Sequence, residues 1–149
     1  MKRFTTLFLS AILAITLLFG GTMSVLASAE EEIANNSSRL SNCAAATMAF
    51  TISDGNLCAG VTYNGKSETF THAKLTLSFK KKYMLFFWKT VEIGYVDEEW
   101  TGYCYDLDGS IYQEFPCPGS GTYRAYFYFE IYGTSGTTDV LEKTIDREY

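Results

Sequence analysis

The clearest structural signal in the chain is the segment GTYRAYFYFEIY, which occupies residues 121–132. Apolar residues recur there at every second position, the period at which side chains share one face of a β-strand. One face is therefore formed by Tyr123, Ala125, Phe127, Phe129 and Ile131. The opposite face carries Arg124, Tyr126, Tyr128, Glu130 and Tyr132. We predict a long strand with its first face buried and its second face turned outward.

Similar alternation recurs along the rest of the chain, between turns rich in Gly, Asp and Asn. The further predicted strands cover residues 44–53, 57–63, 73–80, 86–93, 100–105, 110–115 and 138–145. Asp108-Gly109 is expected to close a hairpin between two of them. About eight short strands without a helical period predict an all-β fold. We predict a two-sheet antiparallel sandwich of the immunoglobulin-like type, with a small β-barrel as the alternative.

Two aromatic residues are candidates for conserved structural positions of such a sandwich. Tyr123, near the start of the longest strand, fits a tyrosine corner, in which the hydroxyl bonds to nearby backbone. An ordinary core aromatic is the alternative for Tyr123. Trp88 is the candidate for the buried core tryptophan.

The first 29 residues have the features of an export signal. Lys2 and Arg3 precede an apolar run from Leu7 to Phe19, and Ala27-Ser28-Ala29 supplies a small-x-small cleavage motif. We predict a signal peptide over residues 1–29, a flexible N-terminal arm over 30–42 and the β-sandwich domain over 43–149. An uncleaved membrane anchor is the alternative. The mature protein is expected to be secreted and extracellular.

Charge and motifs narrow the classes of function. Without Lys2 and Arg3, the basic residues fall from 12 to 10 against 17 acidic ones, so nucleic acid is not an expected partner. His72 is the only histidine, and it lies in a polar turn without a nucleophile motif nearby. Neither a phosphate-binding loop nor a dinucleotide fingerprint is present. We expect no cofactor, no metal and no enzymatic activity.

Two acidic segments allow weaker alternatives, in which the protein hydrolyses glycosides or binds calcium. Asp97, Glu98 and Glu99 precede Trp100, and paired carboxylates near an aromatic residue serve glycoside hydrolysis. Adjacent strand residues point to opposite faces, however, so a solvated loop is the favoured interpretation. The segment 106–109 resembles the start of a calcium loop, but it lacks the closing glutamate and fits a hairpin turn better.

Four cysteines follow the predicted cleavage site: Cys43, Cys58, Cys104 and Cys117. An even number in an exported chain predicts two disulfides, and the absence of a C-x-x-C pair argues against zinc. If successive strands alternate in direction, Cys58 and Cys104 lie at one end of the sandwich, and Cys43 and Cys117 lie at the other. We therefore predict the pairs Cys58–Cys104 and Cys43–Cys117. The two local bridges, Cys43–Cys58 and Cys104–Cys117, are the main rival.

Two surfaces are candidates for recognition. Arg124, Tyr126, Tyr128 and Tyr132 form an amphipathic strip that suits a protein or glycan ligand, unless the arm or a neighbouring element covers it. Three lysines, Lys80 to Lys82, precede the aromatic run YMLFFW, which suggests a membrane interface. The favoured interpretation of this second segment is a charged turn followed by a core strand. Membrane contact is not expected, because the chain as a whole is acidic.

Part of the sequence resembles a known group of proteins. The stretches AATMAFTISDGN, FFWKTVEIG and GTYRAYFYFEIYGTSGTTDV, with the terminal Tyr149, are similar to small exported proteins of Gram-positive bacteria. The resemblance implies an immunoglobulin-like sandwich, and it implies no activity, cofactor or catalytic residue. The expected function is a secreted, non-catalytic binding or interaction module. A membrane-active or antagonistic secreted protein is the alternative, followed by a small glycosidase.

Overall fold

The computed structural model describes residues 31–32 and 40–149, so the predicted signal peptide lies outside the described residues. Nine strands and one short 3₁₀ turn, Val96–Glu98, occur within these ranges. The strands are β1 (Glu31–Glu32), β2 (Cys43–Ser53), β3 (Asn56–Gly65), β4 (Phe70–Tyr83), β5 (Phe87–Thr90), β6 (Trp100–Cys104), β7 (Asp108–Pro116), β8 (Thr122–Gly133) and β9 (Thr138–Glu148). In the described part of the chain, we find no helix of the length and apolarity needed to span a membrane.

The strands form two antiparallel sheets packed face to face. The first, called the β3 sheet, has the order β1-β2-β3-β7. In the second, called the β8 sheet, β9, β8 and β4 are neighbours, and the other edge of β4 pairs with both β5 and β6. The predicted all-β sandwich is therefore confirmed. The alternative of a small β-barrel is wrong, because the two sheets stay separate.

The strand order and one tyrosine match the immunoglobulin-like type. The neighbours β2-β3-β7 and β9-β8-β4 correspond to strands A-B-E and G-F-C of that sandwich. Tyr123 lies near the start of β8 with its ring fully buried. Its hydroxyl donates a hydrogen bond to the carbonyl oxygen of Gly119, four residues upstream. The predicted tyrosine corner is confirmed.

Alternating side chains from both sheets fill one core. The predicted inward residues of β8 are all buried, as are Leu75, Leu77 and Phe79 of β4. Phe79 reaches across to Phe50 of β2, with 5.6 Å between the ring centroids. The prediction for Trp88 is wrong, because its strand, β5, lies at the outer edge and its ring stacks on the Arg124 guanidinium. Trp100 packs against the core instead.

The predicted hairpin at Asp108-Gly109 is also wrong. The strand before it, β6, pairs with β4, whereas β7 pairs with β3, so the chain crosses between the sheets there. β5 and β6 both run antiparallel to β4, β5 beside Lys80–Tyr83 and β6 beside Ala73–Leu77. They therefore act as one edge strand, interrupted by an excursion over residues 91–99. The predicted strand 86–93 contains only β5, and Phe86 is exposed.

The predicted disulfides are wrong, because all four cysteines are free. Cys43 of β2 lies opposite Gly65 of β3 in the backbone ladder, at one end of the β3 sheet. The Cys104 sulfur reaches the same end, where it flanks Gly109 together with the Tyr63 hydroxyl. Both predicted bridges, and both local rivals, would therefore have to span the length of the sandwich.

The other two cysteines lie at the opposite end. Cys58 follows the start of β3 by two residues. Cys117 donates its backbone N–H to the Gly55 carbonyl oxygen at 2.8 Å. The strand count failed because β5 and β6 run in the same direction, which inverts the ends assigned to Cys104 and Cys117.

The start of the domain is fixed by a buried polar contact. The Asp139 carboxylate of β9 accepts the backbone N–H groups of Ser41, Asn42 and Cys43 at 2.9, 2.6 and 3.2 Å. The fully buried Asn42 side chain donates to the carbonyl oxygens of Ile131 and Thr137. The predicted flexible arm, 30–42, therefore extends too far, because residues 40–42 belong to the folded domain.

Candidate functional site

An open groove of about 860 Å³ crosses the outer face of the β8 sheet. Its floor follows from the register of two central strands, because Thr76 and Ser78 of β4 stand beside Tyr128 and Tyr126 of β8. One wall is the stretch 142–144 of β9, and the other is the acidic turn formed by residues 97–99. Two lysines of β4, Lys74 and Lys80, also line the groove.

The two floor tyrosines differ in how much of the ring is available. The ammonium group of Lys80 lies 5.1 Å from the centroid of the Tyr126 ring, within the range of a cation–π contact. Tyr128 is 40% exposed and is the most exposed of the outward tyrosines of β8. Tyr128 therefore offers a ring to a ligand, and Tyr126 offers its edge beneath an amine.

Arg124 and Tyr132, the other two residues of the predicted strip, lie outside the groove lining. The Arg124 guanidinium donates two hydrogen bonds to the Asp146 carboxylate, at 2.7 and 2.8 Å. These hydrogen bonds lower the pKa of the Asp146 carboxyl below its usual value. The Arg124 guanidinium also stacks on the Trp88 ring at 4.0 Å from the centroid. Its charge is therefore already satisfied within the protein.

Tyr132 is held in a stack of three rings. Its ring lies parallel to that of His72, with 4.4 Å between the centroids. The His72 ring also stacks with that of Tyr105, with 5.5 Å between the centroids. The Tyr132 hydroxyl donates to Glu130 Oε1 at 2.9 Å. The predicted strip of four ligand-binding residues thus divides into two groove residues and two residues engaged in intramolecular contacts.

An ion pair fixes Lys74, at the edge of the groove. Lys74 Nζ lies 2.7 Å from Glu130 Oε2, and both side chains are largely shielded from solvent. Burial raises the pKa of the Glu130 carboxyl, but the hydrogen bonds from Lys74 and Tyr132 outweigh burial, so that its pKa lies below the usual value. Lys74 is therefore positioned rather than mobile.

The acidic wall has a specific local cause. Asp97 and Glu98 adopt left-handed backbone conformations, with φ of 55° and 56°. Glu98 Oε2 accepts the backbone N–H groups of Ile93 and Gly94, at 2.6 and 3.4 Å. Glu98 thereby closes the turn. The sequence predicted a solvated loop at this place, but it could not indicate that the loop stands over the face of β4 and β8.

The groove combines an aromatic floor with hydroxyl, carboxylate and amine groups on its sides. Such a set can stack against a sugar ring and exchange hydrogen bonds with its hydroxyls. Within residues 40–149, no group of three or more His, Cys, Asp or Glu side chains is arranged to hold a metal ion. Comparisons with protein-family models, curated proteins and solved structures found no match.

Proposed function

We propose that the protein is a secreted, non-catalytic binding module that holds a glycan chain in the groove of the β8 sheet. The observation that carries this proposal is the open cavity of about 860 Å³ floored by Tyr126 and Tyr128. The volume lies within the range of small-molecule sites, roughly 300–1,000 Å³. Its open form suits one stretch of an extended ligand.

The chemistry of the lining favours a sugar ligand over an apolar one. Tyrosine supplies contact area with few rotatable bonds, so its ordering on binding costs little conformational entropy. Thr76, Ser78 and Thr144 supply hydroxyl groups, and Glu142 supplies a carboxylate. A ligand that carries many hydroxyl groups can satisfy these groups together, whereas an apolar ligand would leave them without partners.

The non-catalytic part of the proposal is supported by the contacts of Glu98 in the acidic wall. Glu98 already accepts two backbone N–H groups, so its role is to support the turn. Secretion rests on the signal features of residues 1–29. A protein ligand remains an outcome of the binding test.

The test is binding of the chain from Glu30 onward to a glycan array and to purified peptidoglycan, followed by titration with the best binder. We expect Tyr128→Ala to weaken binding about threefold to tenfold, the loss typical of one aromatic contact. Tyr112→Ala is the matched control, because Tyr112 is 49% exposed on the other sheet.

Three outcomes would count against the proposal. Equal losses in Tyr128→Ala and Tyr112→Ala would show that the groove is not the binding site. Release of new reducing ends from the bound glycan would contradict the non-catalytic role. Binding to peptides in place of glycans would reassign the ligand class.

A further inference from the structure

The tip of the β4–β5 hairpin is an exposed apolar surface. Five consecutive large side chains, from Tyr83 to Phe87, are each between 59% and 83% exposed. Monomeric proteins rarely leave such a contiguous patch without a partner. We call residues 83–87 the apolar tip.

The apolar tip projects beyond the body of the sheet. The last residue of β4 that pairs with β8 is Lys81, whereas pairing with β5 continues to Tyr83 and Phe87. Two residues of strand beyond the last β8 partner extend about 7 Å. Met84, with φ of 58°, begins the turn that follows. The apolar tip therefore protrudes from the sheet and can contact another surface without any movement of the sandwich.

Lysines surround the base of the β4–β5 hairpin. Residues 80–91 contain four lysines and no acidic residue. Lys81, Lys82 and Lys89 line a cavity of about 540 Å³ beside the hairpin, together with Glu92 and Pro118. Lys81 Nζ donates to the Pro118 carbonyl oxygen at 3.1 Å, which holds this lysine at the cavity wall.

A tryptophan lies between the tip and the body of the sheet. Trp88 pairs with Lys82, and its ring stacks on the Arg124 guanidinium. Tryptophan is enriched at the headgroup level of membranes, where one part of its ring is dry and another is wet. From the tip inward, the hairpin thus presents apolar side chains, then an indole beside Lys82, then the remaining lysines.

We propose that this hairpin docks the protein on an anionic lipid bilayer. The apolar tip enters the interfacial region, to the depth of about 5–10 Å typical of interfacial anchors. Lys82 and Lys89, the exposed lysines at its base, contact the headgroup phosphates. The rest of the chain is acidic and is repelled by the same surface, which orients the hairpin toward the membrane.

This proposal replaces the expectation that membrane contact does not occur. That expectation averaged charge over the whole chain, whereas the structure concentrates lysines around one exposed tip. A second copy of the chain is a poorer partner, because two tips would bring two lysine clusters together.

The experiment is vesicle flotation with the chain from Glu30 onward, so that the apolar N-terminal segment does not contribute. Vesicles are made of phosphatidylcholine alone or mixed with phosphatidylglycerol. We expect binding to rise with phosphatidylglycerol, and Leu85→Ser/Phe86→Ser to reduce it about tenfold or more. Val96→Ser is the matched control, because Val96 is 85% exposed outside the hairpin.

A charge variant tests the lysines separately. Lys82→Gln/Lys89→Gln should weaken binding to the anionic vesicles about tenfold or more, from about 1 kcal/mol per lysine near the surface, and should not change binding to phosphatidylcholine. Tyr128→Ala should leave flotation unchanged, so failure of the glycan proposal is distinguishable from failure of this one.

Two results would overturn the proposal. The first is unchanged flotation of Leu85→Ser/Phe86→Ser, with thermal unfolding showing that the variant is folded. The second is self-association in sedimentation without lipid that this variant abolishes, because the tip would then be a contact between copies of the chain.

Discussion

On the outer face of β8, the contacts of each side chain depend on the strand beside it. The alternation within residues 121–132 correctly predicted which side chains point outward. It could not predict that Glu130 meets Lys74 or that Tyr132 stacks on His72, because those partners lie on β4, about 60 residues earlier in the chain. Facing direction is a local property of a strand, whereas the partner of each side chain depends on register.

The Lys74–Glu130 ion pair predicts a dependence of stability on pH. The pKa of Glu130 is lowered in the folded protein, so the pair contributes stability above the unfolded pKa of about 4.3. That contribution is lost as the pH falls through the folded pKa. We expect Lys74→Met to lose about 0.5–1 kcal/mol of unfolding free energy at pH 7 and much less near pH 3.

The measurement is urea unfolding of both proteins across this pH range. Lys89→Met is the control, because Lys89 is an exposed lysine of the same sheet. A loss in Lys74→Met that stays constant from pH 7 to pH 3 would contradict an ionic origin.

At the scale of elements, most strands could be predicted and one edge could not. The predicted segments for β2, β3, β4, β6, β7, β8 and β9 overlap the observed strands because local alternation alone defines them, and the predicted segment 86–93 contains β5. The pairing at the edge beside β4 was not predicted, because β4 is 14 residues long and accommodates two short partners in the same direction. The acidic wall of the groove lies in the excursion between those partners, so it was missed as a functional element.

Glu98 should control the order of that excursion. Its carboxylate accepts the amides of Ile93 and Gly94, so Glu98→Ala removes the only side-chain acceptor shown for them within the described residues. We expect faster hydrogen exchange at these two amides, by about tenfold for a lost charged hydrogen bond. Glu92→Ala is the control. Unchanged exchange in Glu98→Ala would show that the turn is held by other contacts.

At the scale of the whole molecule, the β8 sheet carries both proposed surfaces. The groove lies over Tyr126 and Tyr128, and the apolar tip extends from one end of the same sheet. A protein attached through its tip would therefore keep the groove accessible beside the membrane. No residue of the β3 sheet lines the groove or belongs to the apolar tip.

The free cysteines give a direct test of the topology. The four cysteines lie two near each end of the sandwich and none is bonded, so denaturation without reductant should expose four titratable thiols per chain. Reduction should leave the electrophoretic mobility unchanged. Two thiols or none would show that disulfides form, and peptide mapping would then identify which ends of the sandwich approach each other.

The interrupted edge of the β8 sheet bears on how the protein behaves at high concentration. β5 has four residues and β6 has five, so neither offers a long row of unpaired amides on which a foreign strand could grow. The opposite edge, β9, is continuous over 11 residues, but it carries charges of both signs at Glu142, Asp146 and Glu148 and at Lys143 and Arg147. Fibril growth through either edge is thereby disfavoured, at one by discontinuity and at the other by the desolvation of charge.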